Sequence, residues 1–558
     1  MRLILAALSA IALAACDTTG ADEQSPADTQ PLTIFTGGTI YTGLDDPATV
    51  EAVVVRADGR IIGTAPPLSQ DWSDDEVTIV DLGSAVMFPG FTDSHAHLLG
   101  IGQRELSLDL TGTASITELV TRVEAEAEGR DEDAMIVGRG WIETGWPEGR
   151  MPTAADLDQV VGDRIVILQR SDGHALVASS AALDAAGIDA DTADPAGGKI
   201  ERDEGGSATG IILDTAMAPI WALVAAPSEE EIRRAYIKAG EVYASRGWTG
   251  LHNMSVPPEH APLLAELDRE ALMPLRLYNA FDGESQGNDG FDLAAGRTFE
   301  TDTITNRAVK LYMDGALGSR GALLIEPYAD RPDTSGLAIT EPDRLRARME
   351  TASQKDVQLA IHAIGDLANR RILDVYEDLG YGNEKRWRIE HTQIVNPVDI
   401  PRIAELGLIA SMQPSHAIGD LKFAPARLGM DRLDGAYAWQ GLLDAGAVIA
   451  GGSDAPVEVG SPLIEFYAAV ARKDLEGNDA EGWHPEQALS RQEALRLFTS
   501  SAAYAAFQED ELGTIEPGKR ADFTVFDRDL MIVPEAEILD ARPVMTVVQG
   551  EIVWKASE

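Results

Sequence analysis

The chain has 558 residues, 92 of them Asp or Glu against 45 Lys or Arg, for a formal net charge of −47. A surface this acidic argues against nucleic acid and anionic membrane surfaces as partners. The length and a 44% hydrophobic content fit a soluble globular protein of two or three domains, or one large barrel with additions.

In chain order, Arg2 gives a short basic start and residues 3–14 form an apolar run. That run is too short to span a bilayer but has the length of a signal-peptide core. It ends in Leu13-Ala-Ala-Cys16, which resembles a bacterial lipobox. The resemblance implies a lipoprotein signal peptide over residues 1–15 and a lipid anchor on Cys16. The protein is then exported and held at the bacterial membrane, facing the periplasm or the cell exterior. Cys16 is the only cysteine, so no internal disulfide supports the fold. Residues 16–31 are small and polar and read as a flexible tether.

From residue 32 short apolar segments alternate with turns, at 32–35, 39–41, 52–56, 60–63 and 77–80. Gly37-Gly38, Asp58-Gly59 and Pro66-Pro67 punctuate them. The end of the chain has the same texture, with a strand near 526 and a final hairpin around Gly550-Glu551. Residues 32–84 and 512–558 are therefore expected to build one composite β-sandwich. Between them, eight apolar runs alternate with helical stretches: 86–93, 248–253, 275–281, 308–313, 357–362, 387–391, 408–412 and 448–452. This predicts an α/β fold, a (β/α)8 TIM barrel over residues 85–511. Runs at 135–141 and 164–170 exceed the count of eight. They are assigned to an insertion after barrel strand one, at about 130–245. The Gly- and Asp-rich residues 191–206 read as an exposed hairpin or loop.

The ends of the predicted strands carry the chemistry. His95 and His97 stand at i, i+2, which puts both imidazoles on one face of an extended backbone. Lys310 lies in strand four, His362 ends strand five, His391 ends strand six and Asp454 ends strand eight. Each has a structural reading alone: a hydrogen-bonded histidine, a snorkelling lysine, a helix-capping aspartate. Strand ends of such a barrel converge on one face, and six ligand-type residues there point to a metal site.

The pattern resembles the amidohydrolase superfamily of metal-dependent hydrolases. The stretches Pro89-Gly-Phe-Thr-Asp-Ser-His-Ala-His97, Met313-Asp-Gly315 after Lys310, His362-Ala-Ile-Gly-Asp366 and Gly452-Ser-Asp-Ala-Pro456 look most like its N-substituted formamide deformylase-like branch. The resemblance implies that His95, His97 and Asp454 bind a more buried ion and that His362 and His391 bind a second. It implies that Lys310, carboxylated by CO2, bridges them as a carbamate. Zinc accepts this mix of imidazole and oxygen ligands. Asp454 is then the catalytic proton acceptor. The resemblance implies a small-molecule substrate and hydrolysis of a non-peptide C–N bond, amide, N-acyl or formamide-type (EC 3.5 type), by a metal-activated water. Many deaminases of the superfamily carry a glutamate three residues after the strand-five histidine and lack the strand-four lysine. Here that position is Gly365.

His174, Arg320 and His416 follow strand-like runs, and with Trp141 they are candidates for substrate contacts. Trp146 is a further candidate wall of the pocket. His252, at the end of strand two, is left out of the ligand set, and His260 and His484 read as surface or loop residues. A homo-oligomer is compatible with this reading. The rivals are a deaminase, dipeptidase or lactone hydrolase on the same barrel, and a non-catalytic, surface-anchored binding protein.

Overall fold

The computed structural model describes residues 31–46, 48–64, 77–131, 134–143, 145–170, 175–195, 198–283, 288–479 and 483–557. Cys16, the lipobox-like stretch and His174 lie outside the described residues.

Eight parallel strands form the central sheet. In order round it they are Phe91–Ala96, Trp248–Val256, Arg276–Asp282, Ile304–Tyr312, Gln358–Ala363, Arg388–His391, Ile409–Met412 and Val448–Gly451. Every pairing between neighbours in that order is parallel. The sheet nearly closes into a barrel. Its last gap is bridged where Asp454 N donates to His95 O at 2.7 Å and His97 N to Ala455 O at 2.8 Å. Asp93 stitches the same seam, accepting from Ser453 N at 2.9 Å and Ser453 Oγ at 2.6 Å. The segments bearing His95, His97 and Asp454 are thus the segments that close the barrel.

The predicted first strand, 86–93, is two strands. Val86–Pro89 pairs antiparallel with Phe523–Phe526 in a different sheet, and only Phe91–Ala96 belongs to the barrel. Apolar patterning does not register this change of partner. Gly90 does: its N–H donates to Asp522 O at 2.8 Å, and a Cβ there would collide with Thr249 Oγ1. Only glycine lets the backbone pass that closely.

Both ends of the chain contribute strands to one eight-stranded sheet. Its order runs from Glu551–Lys555 through Pro543–Val548, Phe523–Phe526, Val86–Pro89, Leu32–Tyr41 and Thr49–Arg56 to Ile61–Gly63, with Val77–Asp81 also paired to Leu32–Tyr41. The runs expected at 32–35 and 39–41 are one strand with an irregularity at Gly37-Gly38. The last hairpin turns at Gln549 and Gly550, both at positive φ, as two-residue hairpins prefer. Tyr41 stacks on Phe88 at 5.2 Å, and Phe88 and Phe526 pack on Phe91, so this sheet and the barrel share a core.

The insertion is a separate six-stranded sheet that starts at Leu108, not near 130. The helix Glu229–Arg246 packs against Leu98–Leu106 and feeds barrel strand two. The two-residue strand Leu108–Asp109 leaves too little sequence pattern to detect. Gly198–Arg202 and Ala208–Asp214 form the hairpin expected near 191–206.

Candidate metal centre

His95, His97, Lys310, His362, His391 and Asp454 lie on strands one, four, five, six and eight, or just beyond their C-terminal ends. The structure brings them together. Asp454 Oδ1 lies 3.4 Å from His95 Nε2 and 3.2 Å from His97 Nε2. The His391 ring centroid is 4.8 Å from that of His95 and 4.4 Å from that of His362. His95, Lys310, His391 and Asp454 are buried, while the His97 side chain keeps 28% of its surface open to the mouth. Two of these residues hold left-handed backbone conformations, His391 at φ +74° and Asp454 at φ +59°, and Thr392 follows at φ +45°. Such strain in non-glycine residues clusters at functional sites.

Hydrogen bonding aims the rings. Reading the acceptors as fixed, His95 Nδ1 donates to Glu390 Oε2 at 2.6 Å, His97 Nδ1 to Met254 O at 3.2 Å, and His391 Nδ1 to Gln413 Oε1 at 2.8 Å. Each bond puts the ring proton on Nδ1 and leaves the Nε2 lone pair free. His95 Nε2 and His362 Nε2 are buried with no hydrogen-bond partner. A buried imidazole nitrogen left without a partner costs about 1–3 kcal/mol, and a divalent ion removes that cost. The donor set therefore fits one.

The electrostatics point the same way. Burial, opposed by the Glu390 and Asp454 carboxylates, pushes the Lys310 amine down to about 8. Burial and the nearby Lys310 charge push His362 down to about 3, and burial with His362 alongside holds His391 well below its ordinary value. Burial favours a neutral Asp454, but the imidazoles of His95 and His97 beside it outweigh burial and hold its carboxyl well below the ordinary carboxylate range. His362 and His391 are thus held neutral and Asp454 ionised, the states that metal ligands need.

The three described candidates for substrate contacts separate. His416 belongs to the site. It is buried, its Nε2 lies 3.6 Å from Asp454 Oδ2, its ring stacks on His391 at 5.8 Å, and neither ring nitrogen has a hydrogen-bond partner. Arg320 instead forks onto Asp330, at 3.1 and 2.9 Å. Trp141 is fully enclosed in the insertion core with Trp146, its Nε1 donating to Leu168 O, and cannot wall the pocket. Large aromatics fill cores more often than clefts. His252 accepts from Arg388 Nη1 at 2.8 Å, consistent with its omission from the ligand set. His260 bonds Tyr236 and His484 pairs with Asp434 and Glu486, away from the centre.

Three residues of the site escaped the sequence reading. Glu390 orients His95. Asp93 closes the seam, and burial pushes its carboxyl up to about 6. Asp314 accepts from the N–H groups of Leu323, Ile364 and Gly365 beneath His362. Glu390 and Asp93 each lie within two residues of a predicted ligand, and that adjacency was the only available signal.

Residues 78–554 match the model of the Amidohydrolase family. The protein YtcJ of Bacillus subtilis is 34% identical over 535 residues, 94% of this chain and 99% of its own. The N-substituted formamide deformylase of Arthrobacter pascens is 28% identical over 528 residues, 89% of this chain and 92% of its own. Among solved structures, an uncharacterized metal-dependent hydrolase of Pyrococcus horikoshii superposes with a TM-score of 0.72 at 29% identity, over 90% of this chain and 99% of the other.

Proposed function

The chain belongs to the amidohydrolase family, and from that premise we propose that it hydrolyses the C–N bond of an amide, N-acyl or formamide-type small molecule. One observation carries the choice of bond. At Gly365, where many ring deaminases carry their glutamate, a side chain would run into the backbone of Leu323. The acid that protonates a ring nitrogen has no room there. The likeness to a formamide deformylase supports the same reading.

In this proposal His95, His97 and Asp454 would hold one divalent ion and His362 and His391 a second, Lys310 would serve both as a CO2-derived carbamate, and zinc would suit the nitrogen and oxygen donors. When bound, the pair of ions supplies an acidified water and a polarised carbonyl. The residues do the rest. Asp454 turns Oδ1 toward His95 and His97 and keeps Oδ2 for a proton, which it passes to the leaving nitrogen. His416 Nε2 lies 3.6 Å from Oδ2 without a hydrogen-bond partner, so it is free to bind a substrate polar group beside that carboxylate.

Protein loaded with zinc should hold close to two equivalents and turn over formamides or N-acyl amines in a panel that also contains dipeptides and lactones. Turnover confined to dipeptides or lactones, or one equivalent of metal in fully active protein, would overturn this reading.

The export reading is carried forward as a proposal resting on Leu13-Ala-Ala-Cys16. The full-length protein is expected in the detergent-soluble membrane fraction, released by Cys16→Ser. A wild type already soluble in the periplasm contradicts it.

A further inference from the structure

Deeper in the barrel than the imidazoles, a second set of charges is sealed off. Arg388 and Glu390, at i, i+2 on strand six, both point into the barrel and both have no exposed surface. Arg388 Nε lies 2.7 Å from Glu390 Oε1, an ion-pair contact without hydrogen-bond alignment, and Nη2 donates to Glu390 Oε2 at 3.1 Å. The rest of the guanidinium is held from three other strands. Nη1 donates to His252 Nδ1 at 2.8 Å, and Nη2 donates to Ser94 O at 2.5 Å and Ser411 Oγ at 2.8 Å. Glu390 Oε2 also takes the His95 Nδ1–H at 2.6 Å.

A fully buried ion pair is poor evidence for stability, because desolvation offsets its Coulomb attraction. Its position suggests another role. Glu390 is a carboxylate within one hydrogen bond of a metal ligand, and an unrestrained carboxylate beside two divalent ions would itself coordinate one. Here the Arg388 fork faces both oxygens, and Arg388 is fixed by strands one, two and seven.

We propose that Arg388 and Glu390 are a positioning pair for the ion that His95 would hold. Glu390 sets the proton and the aim of His95, and Arg388 keeps Glu390 from becoming a ligand. The outer partner of a metal-bound histidine raises its basicity and fixes its orientation, typically for 10–100-fold in metal affinity. This inference rests on the metal-binding part of the reading above and not on the bond cleaved. Its test is read without substrate, so a failed substrate panel leaves it standing.

Zinc affinity, measured by chelator competition, should fall about 10–100-fold in Glu390→Gln. Glu390→Asp keeps the charge and the Arg388 contact but withdraws the carboxylate from His95, and should show a similar loss. Arg388→Met frees Glu390 and should change the visible absorption of the cobalt-substituted protein, as an oxygen ligand enters. Melting of the metal-free forms reports the purely structural part. Affinities within threefold of wild type in both Glu390 variants, with lower melting of their metal-free forms, would reduce the pair to a structural role. Should neither variant fold, a crystal structure of the wild-type zinc protein decides. Glu390 bonded to His95 and Arg388 supports the proposal, and Glu390 coordinating an ion overturns it.

Discussion

Asp454→Asn should lower turnover about 10²–10⁴-fold, the usual size of a general acid–base contribution. That is roughly 3–5 kcal/mol of transition-state stabilisation. The substitution keeps the shape and one carbonyl oxygen for the ion, and it removes the charged proton acceptor. Fold and metal content should therefore survive, which separates this variant from loss of a histidine. The two oxygens of Asp454 already face different partners: Oδ1 the imidazoles of His95 and His97, Oδ2 the ring of His416. Amide nitrogen in place of Oδ2 would meet His416 Nε2 with a donor and leave nothing to receive a proton. Steady-state kinetics and metal analysis on the same preparation check this, and turnover within a few-fold of wild type removes Asp454 from the role.

Much of this architecture was legible because its signals are local. Seven of the eight barrel strands fall within a few residues of their expected positions, since a strand buried on both faces writes a continuous apolar run. His95, His97 and Asp454 could be read from short stretches around a strand end. What failed was non-local. The kink at Gly90 moves the chain from one sheet to another, and only the later strand Phe523–Phe526 reveals it. Glu390 serves a histidine 295 positions away. Arg320 and Trp141 occupy plausible loop and strand positions, yet the first is drawn to Asp330 and the second to a core formed by the insertion. Side chains that act through a neighbour leave no spacing of their own in the sequence.

Lys310→Ala should lose one of two metal equivalents and most activity, while the barrel stays folded. The reasoning starts from the amine. An ordinary lysine, near 10.4, is almost entirely ammonium at neutral pH and can neither attack CO2 nor approach two cations. Lys310 is buried and already pushed down to about 8, so its amine gives up its proton far more readily than an ordinary lysine's. Two adjacent divalent ions would push the same way, since like charge disfavours the ammonium. A carbamate formed there is anionic, carries two oxygens and answers the positive charge of both ions. Removing it leaves His362 and His391 with no bridging anion. A short carboxylic acid has the same two oxygens without the tether. Acetate or propionate, added to the alanine variant with excess zinc, should restore part of both the metal content and the activity. The control is His362→Ala, whose missing ligand is an imidazole, so carboxylates should not rescue it. Full metal content and activity in Lys310→Ala without any added acid would show that the lysine does not bridge the ions, and the amine would then be a structural group packed 5.0 Å from the Tyr312 ring.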